Sequence, residues 1–320
     1  MSDYSRAPYS RRELLQLSVG AGLAIAVSPL ARLAAAGAPT ARGPLLLRKI
    51  PSTGEQLPVI GIGTARRYDV ATPEEKAPLL DTLREFPKLG GKVIDTAPSY
   101  GQAEAVTGEL VEQLHMREQL FLATKVSIRG SDTAPGVAQM NESFRKLRTD
   151  HIDLMQVWNL GGTEALLPVL RDMKAAKKIR YIGVTTSNES QYGALETLMG
   201  KERFDFIQVD YAADNREAAD RILPLARDKG VGAIINLPFG RSRVFQNVLN
   251  TPVPDWAKEF EATTWAQVFL KYIAANTAVT CVIPGTAQLK YVNDNMAAAH
   301  GVLPDAALLK KIEAVVAKSM

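Results

Sequence analysis

Lys92-Val93-Ile94-Asp95-Thr96-Ala97-Pro98-Ser99-Tyr100-Gly101 reads as a short apolar strand ending on a carboxylate, then a tight loop carrying a phenol. Outward from this stretch the same kind of unit recurs. Candidate strands are Val59–Gly63, Lys92–Asp95, Leu120–Lys125, Ile152–Trp158, Tyr181–Thr185, Phe206–Val209, Gly232–Asn236 and Thr280–Ile283. Each is short, apolar and rich in β-branched residues, as parallel strands buried on both faces are. Between them lie amphipathic stretches such as Glu164–Lys178, Gln191–Lys201 and Arg216–Lys229. Leu89-Gly90-Gly91 and Lys229-Gly230 supply glycines at which such helices stop. Eight strand–helix repeats with short connections predict an α/β fold, a closed (β/α)8 TIM barrel over residues 44–320. An open doubly wound sheet is the alternative. Its glycine fingerprint is missing, because Gly61-Ile62-Gly63 runs into Thr64-Ala65-Arg66. Ahead of the barrel, Leu45–Pro51 and Leu57–Ile62 flank Ser52-Thr53-Gly54-Glu55-Gln56, an expected β-hairpin closing the barrel floor.

The chain has 320 residues, 46% hydrophobic and 22% charged, which places it among ordinary soluble globular proteins. Net charge is +4, and several basic residues fall in the first fifty positions. No dense Lys/Arg run is interleaved with aromatics, so no nucleic-acid partner is expected. Cys281 is the sole cysteine, which excludes an internal disulfide and a thiolate metal site. With only three histidines, no metal is expected either.

Residues 1–38 read as a leader. Ser10-Arg11-Arg12-Glu13-Leu14-Leu15-Gln16 precedes an apolar run from Leu17 to Leu30, and Ala34-Ala35-Ala36-Gly37-Ala38 follows. Charged, apolar and small residues in that order make a signal peptide. The arginine pair resembles a twin-arginine signal, of the kind that exports folded proteins. The expected partner is then the twin-arginine (Tat) export machinery, and the expected location is bacterial and periplasmic or exported. The run, broken by Pro29, is short of the ~20 apolar residues of a comfortable span, so no stable membrane insertion is expected after cleavage. An uncleaved anchor and an ordinary core helix are the competing readings.

Active sites of such barrels lie where strands end and the following loops begin. Those positions bring together Asp95, Tyr100 and, at the end of the next strand, Lys125. An ammonium beside the phenol favours phenolate, and a carboxylate beside the ammonium keeps it charged. A phenol tuned in this way can protonate a carbonyl oxygen as hydride reaches the carbon. A structural ion pair at the barrel rim is the plainer reading of Asp95 and Lys125.

Val93-Ile94-Asp95-Thr96-Ala97-Pro98-Ser99-Tyr100-Gly101-Gln102-Ala103-Glu104, followed by Gly108, resembles the signature of the aldo-keto reductase family. The resemblance implies a metal-independent (β/α)8 enzyme that uses NADPH, with NADH admitted, on a small aldehyde or ketone. Asp95, Tyr100 and Lys125 match three members of its catalytic tetrad, with Tyr100 as general acid/base. Gln208-Val209-Asp210-Tyr211 is similar to the segment whose glutamine holds the nicotinamide carboxamide, and Thr185-Thr186 replaces a usual Ser-Asn pair. Asn236-Leu237-Pro238-Phe239-Gly240 is similar to the loop covering the cofactor, with Asn236 where many relatives carry a stacking aromatic. Arg241, Ser242 and Arg243 follow and would reach the pyrophosphate, unless they simply line a solvated loop. Val282-Ile283-Pro284-Gly285-Thr286 and Asp294-Asn295 resemble the adenosine-binding segment. Some members grip a 2′-phosphate from basic residues at the positions of Gly285 and Tyr291. Here both are absent, Thr286 remains, and Lys290 is one residue away.

The fourth tetrad position departs from the pattern: Trp158 stands where a histidine is usual. An indole donates one N–H, accepts nothing and does not titrate near neutrality. It can orient a carbonyl but cannot relay a proton, and Asn159 is the nearest polar residue to compensate. His115, His151 and His300 read as helix-end or surface residues. The readings are a working carbonyl reductase, one with altered substrate or rate, or an impaired barrel binding nucleotide or an unidentified periplasmic partner.

Overall fold

The computed structural model describes residues 43–317, and the leader read at 1–38 lies outside them. A two-stranded hairpin comes first, β1 (Leu47–Lys49) paired antiparallel with β2 (Gln56–Pro58). Eight parallel strands follow: β3 (Ile62–Gly63), β4 (Val93–Asp95), β5 (Phe121–Val126), β6 (Ile152–Trp158), β7 (Ile179–Thr185), β8 (Phe206–Asp210), β9 (Gly232–Asn236) and β10 (Val279–Val282). They are hydrogen-bonded in chain order from β3 to β10. Parallel bridges Ile60–Val282 and Gly63–Gly285 then join the two ends of the sheet. That ring is the expected barrel.

The closing seam is narrow. A Cβ on Gly63 would lie 2.8 Å from the Ile283 carbonyl oxygen, closer than side-chain carbons approach. Glycine is therefore what permits the first and last strands to meet. The first strand is also shorter than the sequence suggests, with only Ile62 and Gly63 in register with β4. One expected helix, Arg216–Lys229, is two, Glu217–Asp220 and Ile222–Asp228, broken at Arg221. Pro224 accounts for the break, because it has no N–H to offer the Asp220 carbonyl and its ring presses on that group.

The hairpin sits on the barrel floor, as expected. Thr53 Oγ1 is 2.9 Å from the Tyr181 hydroxyl, and that hydroxyl donates to Glu55 at 2.6 Å. Arg180 pairs with Glu55 and, at 2.6 Å, with buried Asp153. Since Arg180 and Tyr181 are the second and third residues of β7, these contacts lie at the opposite end from the strand mouths. Inside the barrel, Val93, Phe121, Ala123, Leu154, Tyr181, Phe206, Ile234 and Cys281 form one apolar cluster with Ile50 and Leu57 of the hairpin region. The outer strand faces pack with the helices into a separate, larger core. Among the described residues no helix is long and apolar enough to cross a membrane, and no group of three or more His, Cys, Asp or Glu could hold a metal ion.

Candidate functional site

Side chains two residues apart on a strand point the same way. Two residues beyond the interior cluster, toward the mouth, Val93 leads to Asp95, Ala123 to Lys125, Leu154 to Gln156, Phe206 to Gln208 and Ile234 to Asn236. An apolar barrel interior is thus topped by a polar layer. Its centre is the Lys125–Asp95 pair, Nζ to Oδ1 2.5 Å, with side chains only 2% and 3% exposed. Lys125 also donates to the Thr96 carbonyl at 2.8 Å, and its Nζ lies 5.1 Å from the Tyr100 ring centroid. Burial alone would push the ammonium's pKa down. Asp95 and Tyr100 outweigh it and hold Lys125 above the ordinary lysine value.

Tyr100 is placed by the loop between β4 and the helix Ala103–Gln113. Gly101 has φ +60°, and a Cβ there would fall 2.2 Å from Asp69 Oδ1, which instead accepts from the Gln102 amide at 2.9 Å. Glu104, on the first turn of that helix, accepts from Thr124 Oγ1 at 2.7 Å, next to Lys125 on β5. Burial raises the Glu104 carboxyl above its usual range. The loop bearing Tyr100 and the strand bearing Lys125 are therefore clamped together.

Trp158 ends β6 at the rim, 37% exposed. Beside it opens a cleft of about 160 Å³ between Pro98, Ser99, Lys125, Ser127, Gln139 and Trp158. Asn159 and Leu160 follow at φ +48° and +59°. Gln191 Nε2 donates to the Asn159 carbonyl at 3.2 Å, and Gln191 Oε1 accepts from Thr186 at 2.5 Å. The histidines are elsewhere: His151 pairs with Asp150 before β6, His115 follows the second helix, and His300 lies between the Gly43 and Leu89 carbonyls. A larger cleft of about 420 Å³ opens beside Glu55, Lys92 and Arg180 at the floor, away from the trio. Its Arg180 and Glu55 satisfy each other, and we assign it no chemistry.

The remaining expected positions divide. Gln208 and Thr185 join the polar layer, where Thr185 Oγ1 donates to Gln208 Oε1 at 3.3 Å. Pro238 is buried, Phe239 packs on Phe245 at 4.9 Å, and Gly240 turns at φ +53°. Arg241 is exposed, whereas Arg243 is not a free donor, since Asp214 holds it at 2.8 Å. Asn295 Nδ2 donates to buried Thr286 at 2.9 Å, and Asp294 accepts from Thr264 and Gln267 at 3.0 and 2.7 Å. Lys290 lies over the Tyr291 ring. Gly285 is overlain by Arg67, whose Cγ would be 3.5 Å from a Cβ at Gly285. Arg67, Asp69, Gln156 and Asp214 were not singled out from the sequence. Gln156 was the most legible, being an amide two residues after Leu154 in an apolar strand.

Asp95→Asn tests the pair. Leaving buried Lys125 without its counter-charge should cost about 3–5 kcal/mol at neutral pH. In the parent chain the folded lysine pKa lies above its ordinary 10.5, so the pair stabilises fully below that pH and fades as pH rises through the folded value. In the variant burial depresses the pKa, the unfolded chain binds more protons, and stability should rise toward about pH 10. Urea unfolding at several pH values reads this; a deficit that does not shrink with pH contradicts it.

The profile of the Aldo/keto reductase family matches residues 59–316. The aldo-keto reductase YhdN of Bacillus subtilis is 30% identical over 200 residues, 58% of this chain and 60% of that protein. The methylglyoxal reductase YeaE of Escherichia coli is 27% identical over 257 residues, covering 79% and 89%. Among solved structures, the holo form of an aldo-keto reductase from Bacillus halodurans superposes with TM-score 0.66 at 21% identity, covering 85% and 96%. An aldo-keto reductase from Klebsiella pneumoniae in complex with NADPH gives TM-score 0.67 at 20% identity, covering 85% and 95%. These two structures share the barrel fold. With the family profile spanning the barrel from its first strand to its last helix, the chain belongs to the aldo/keto reductase family.

Proposed function

We propose that the chain is an NAD(P)H-dependent reductase of small aldehydes or ketones, with Tyr100 as the proton donor. The observation that carries this is the buried Lys125–Asp95 pair with its ammonium against the Tyr100 ring. When bound, the nicotinamide supplies hydride to the carbonyl carbon. Tyr100 gives its proton to the carbonyl oxygen, and Lys125 beside it stabilises the phenolate left behind. Asp95 keeps Lys125 charged and in place. Trp158 donates its indole N–H to orient the carbonyl and takes no part in proton transfer.

The residues fit the cofactor on two observations. Asn236 Oδ1 is buried at the mouth without a hydrogen-bond partner. Toward the adenosine segment, Arg67 overlies Gly285 and Lys290 lies over Tyr291, and these cations would be the ones to meet a 2′-phosphate. This supports NADPH, with NADH as the alternative cofactor. Thr185, Thr186, Gln208 and the Pro238–Arg243 loop would line the remainder. The name of the E. coli relative, a methylglyoxal reductase, agrees with a small carbonyl substrate.

A titration of the chain without its leader with NADPH and NADH, read by tryptophan fluorescence, followed by turnover of a panel of small aldehydes, tests the proposal. Tyr100→Phe should bind cofactor normally and lose at least about a hundredfold in kcat. Trp158→His should raise kcat. Absence of cofactor binding would overturn the reading, while tight binding without turnover favours the alternative that Trp158 motivates, a nucleotide-binding module with a periplasmic partner.

We also propose that the Arg11-Arg12 leader sends the folded barrel to the periplasm through the twin-arginine machinery, carrying cofactor acquired in the cytoplasm. Fractionation should find the mature chain in the periplasm and Arg11→Lys/Arg12→Lys retained inside. Equal distribution of the two chains would contradict export by this route.

A further inference from the structure

The polar layer has a direction, and that direction is set at Asp95. An ionised carboxylate only accepts. Oδ2 of Asp95 receives the Gln208 and Gln156 side-chain amides at 2.8 and 3.0 Å, so both must turn their NH2 groups inward. Gln208 Nε2 reaches Gln156 Oε1 as well, at 3.2 Å. Gln208 therefore presents its oxygen outward, and that oxygen is filled by Thr185 Oγ1 and Asn236 Nδ2, each at 3.3 Å. Asn236 thus turns its NH2 group toward Gln208 and its carbonyl oxygen away from it. The chain of hydrogen bonds ends on Asn236 Oδ1, which is buried and accepts from nothing.

A buried acceptor without a donor is unfavourable, and a ligand that brings an N–H to it gains accordingly. We infer that Asn236 Oδ1 accepts a hydrogen bond from the carboxamide NH2 of the bound nicotinamide, while Gln208 acts as a positioning residue that transmits the polarity of Asp95 to Asn236. The inference rests on the proposed cofactor reading and deepens it. Gln208 is already saturated by protein groups, so the open acceptor belongs to Asn236. An aromatic at position 236 could offer a ring face, but neither this acceptor nor the link to Asp95. The nicotinamide is then held by its edge from the same network that keeps Lys125 charged.

The test uses ligands rather than turnover. Dissociation constants are measured by tryptophan fluorescence for NADP⁺ (or NAD⁺, if that binds more tightly) and for its 3-acetylpyridine analogue. In the analogue a methyl ketone replaces the carboxamide and removes both N–H donors. The corresponding ADP-ribose, which lacks nicotinamide, serves as control. The parent chain should prefer the carboxamide ligand by about three- to tenfold. Asn236→Ala should bind both dinucleotides alike and the ADP-ribose unchanged, the latter also showing that the variant is folded. Asn236→Val carries the same expectation should the alanine variant not fold. A preference that survives in the variants, or is absent from the parent, overturns the inference. Failure of the parent chain to bind either the dinucleotide or the ADP-ribose overturns the cofactor reading, and this inference with it.

Discussion

The site depends on one buried ion pair. Lys125 and Asp95 meet at 2.5 Å with almost no solvent access, at the boundary between the apolar barrel interior and its mouth. Taking two charges out of water is expensive, and a pair at this position is a poor device for stability alone. What it provides is a fixed polarity. The ammonium faces Tyr100, and the carboxylate draws the amide groups of Gln156 and Gln208 inward. Through Gln208 that orientation passes on to Thr185 and Asn236.

The barrel makes such a pair affordable. Strand alternation delivers Asp95 and Lys125 from β4 and β5, and parallel pairing sets Asp95 beside Ala123 in register. Beneath them Phe121, Tyr181 and Phe206 pack ring to ring and, with the hairpin over the floor, keep water from entering behind the charges. Around the rim, Asp69, Glu104 and Gln191 fasten one loop to the next element. These contacts tie the loops around the Lys125–Asp95 pair to neighbouring elements, and Trp158 stands at the open edge.

The strand–helix alternation and the trio were legible in the sequence because both are local: short apolar runs, and polar residues at their ends. Strand ends agree to within a residue or two except where a glycine-dependent seam shortened β3. Contacts made across the ring were less accessible. Nothing near Arg243 announces that Asp214 holds it, and nothing near Gly285 announces Arg67, which comes from the loop after β3. Gln208 could be placed at the mouth from its segment, but not seen to be saturated, since its partners come from β4, β6, β7 and β9. Trp158 was visible as a departure from the family pattern, and it stands half-open beside a small cleft.

Lys125 is held charged by Asp95 although both side chains are almost wholly buried. The direct measurement is the ¹⁵Nζ resonance of Lys125 in the folded chain, followed against pH and assigned by its loss in Lys125→Met. An ammonium signal unchanged from about pH 6 to about pH 10 is expected, with titration above the ordinary lysine value of 10.5. Titration of Lys125 within that range would mean that burial outweighs the pair, and the polarity described for the site would not hold.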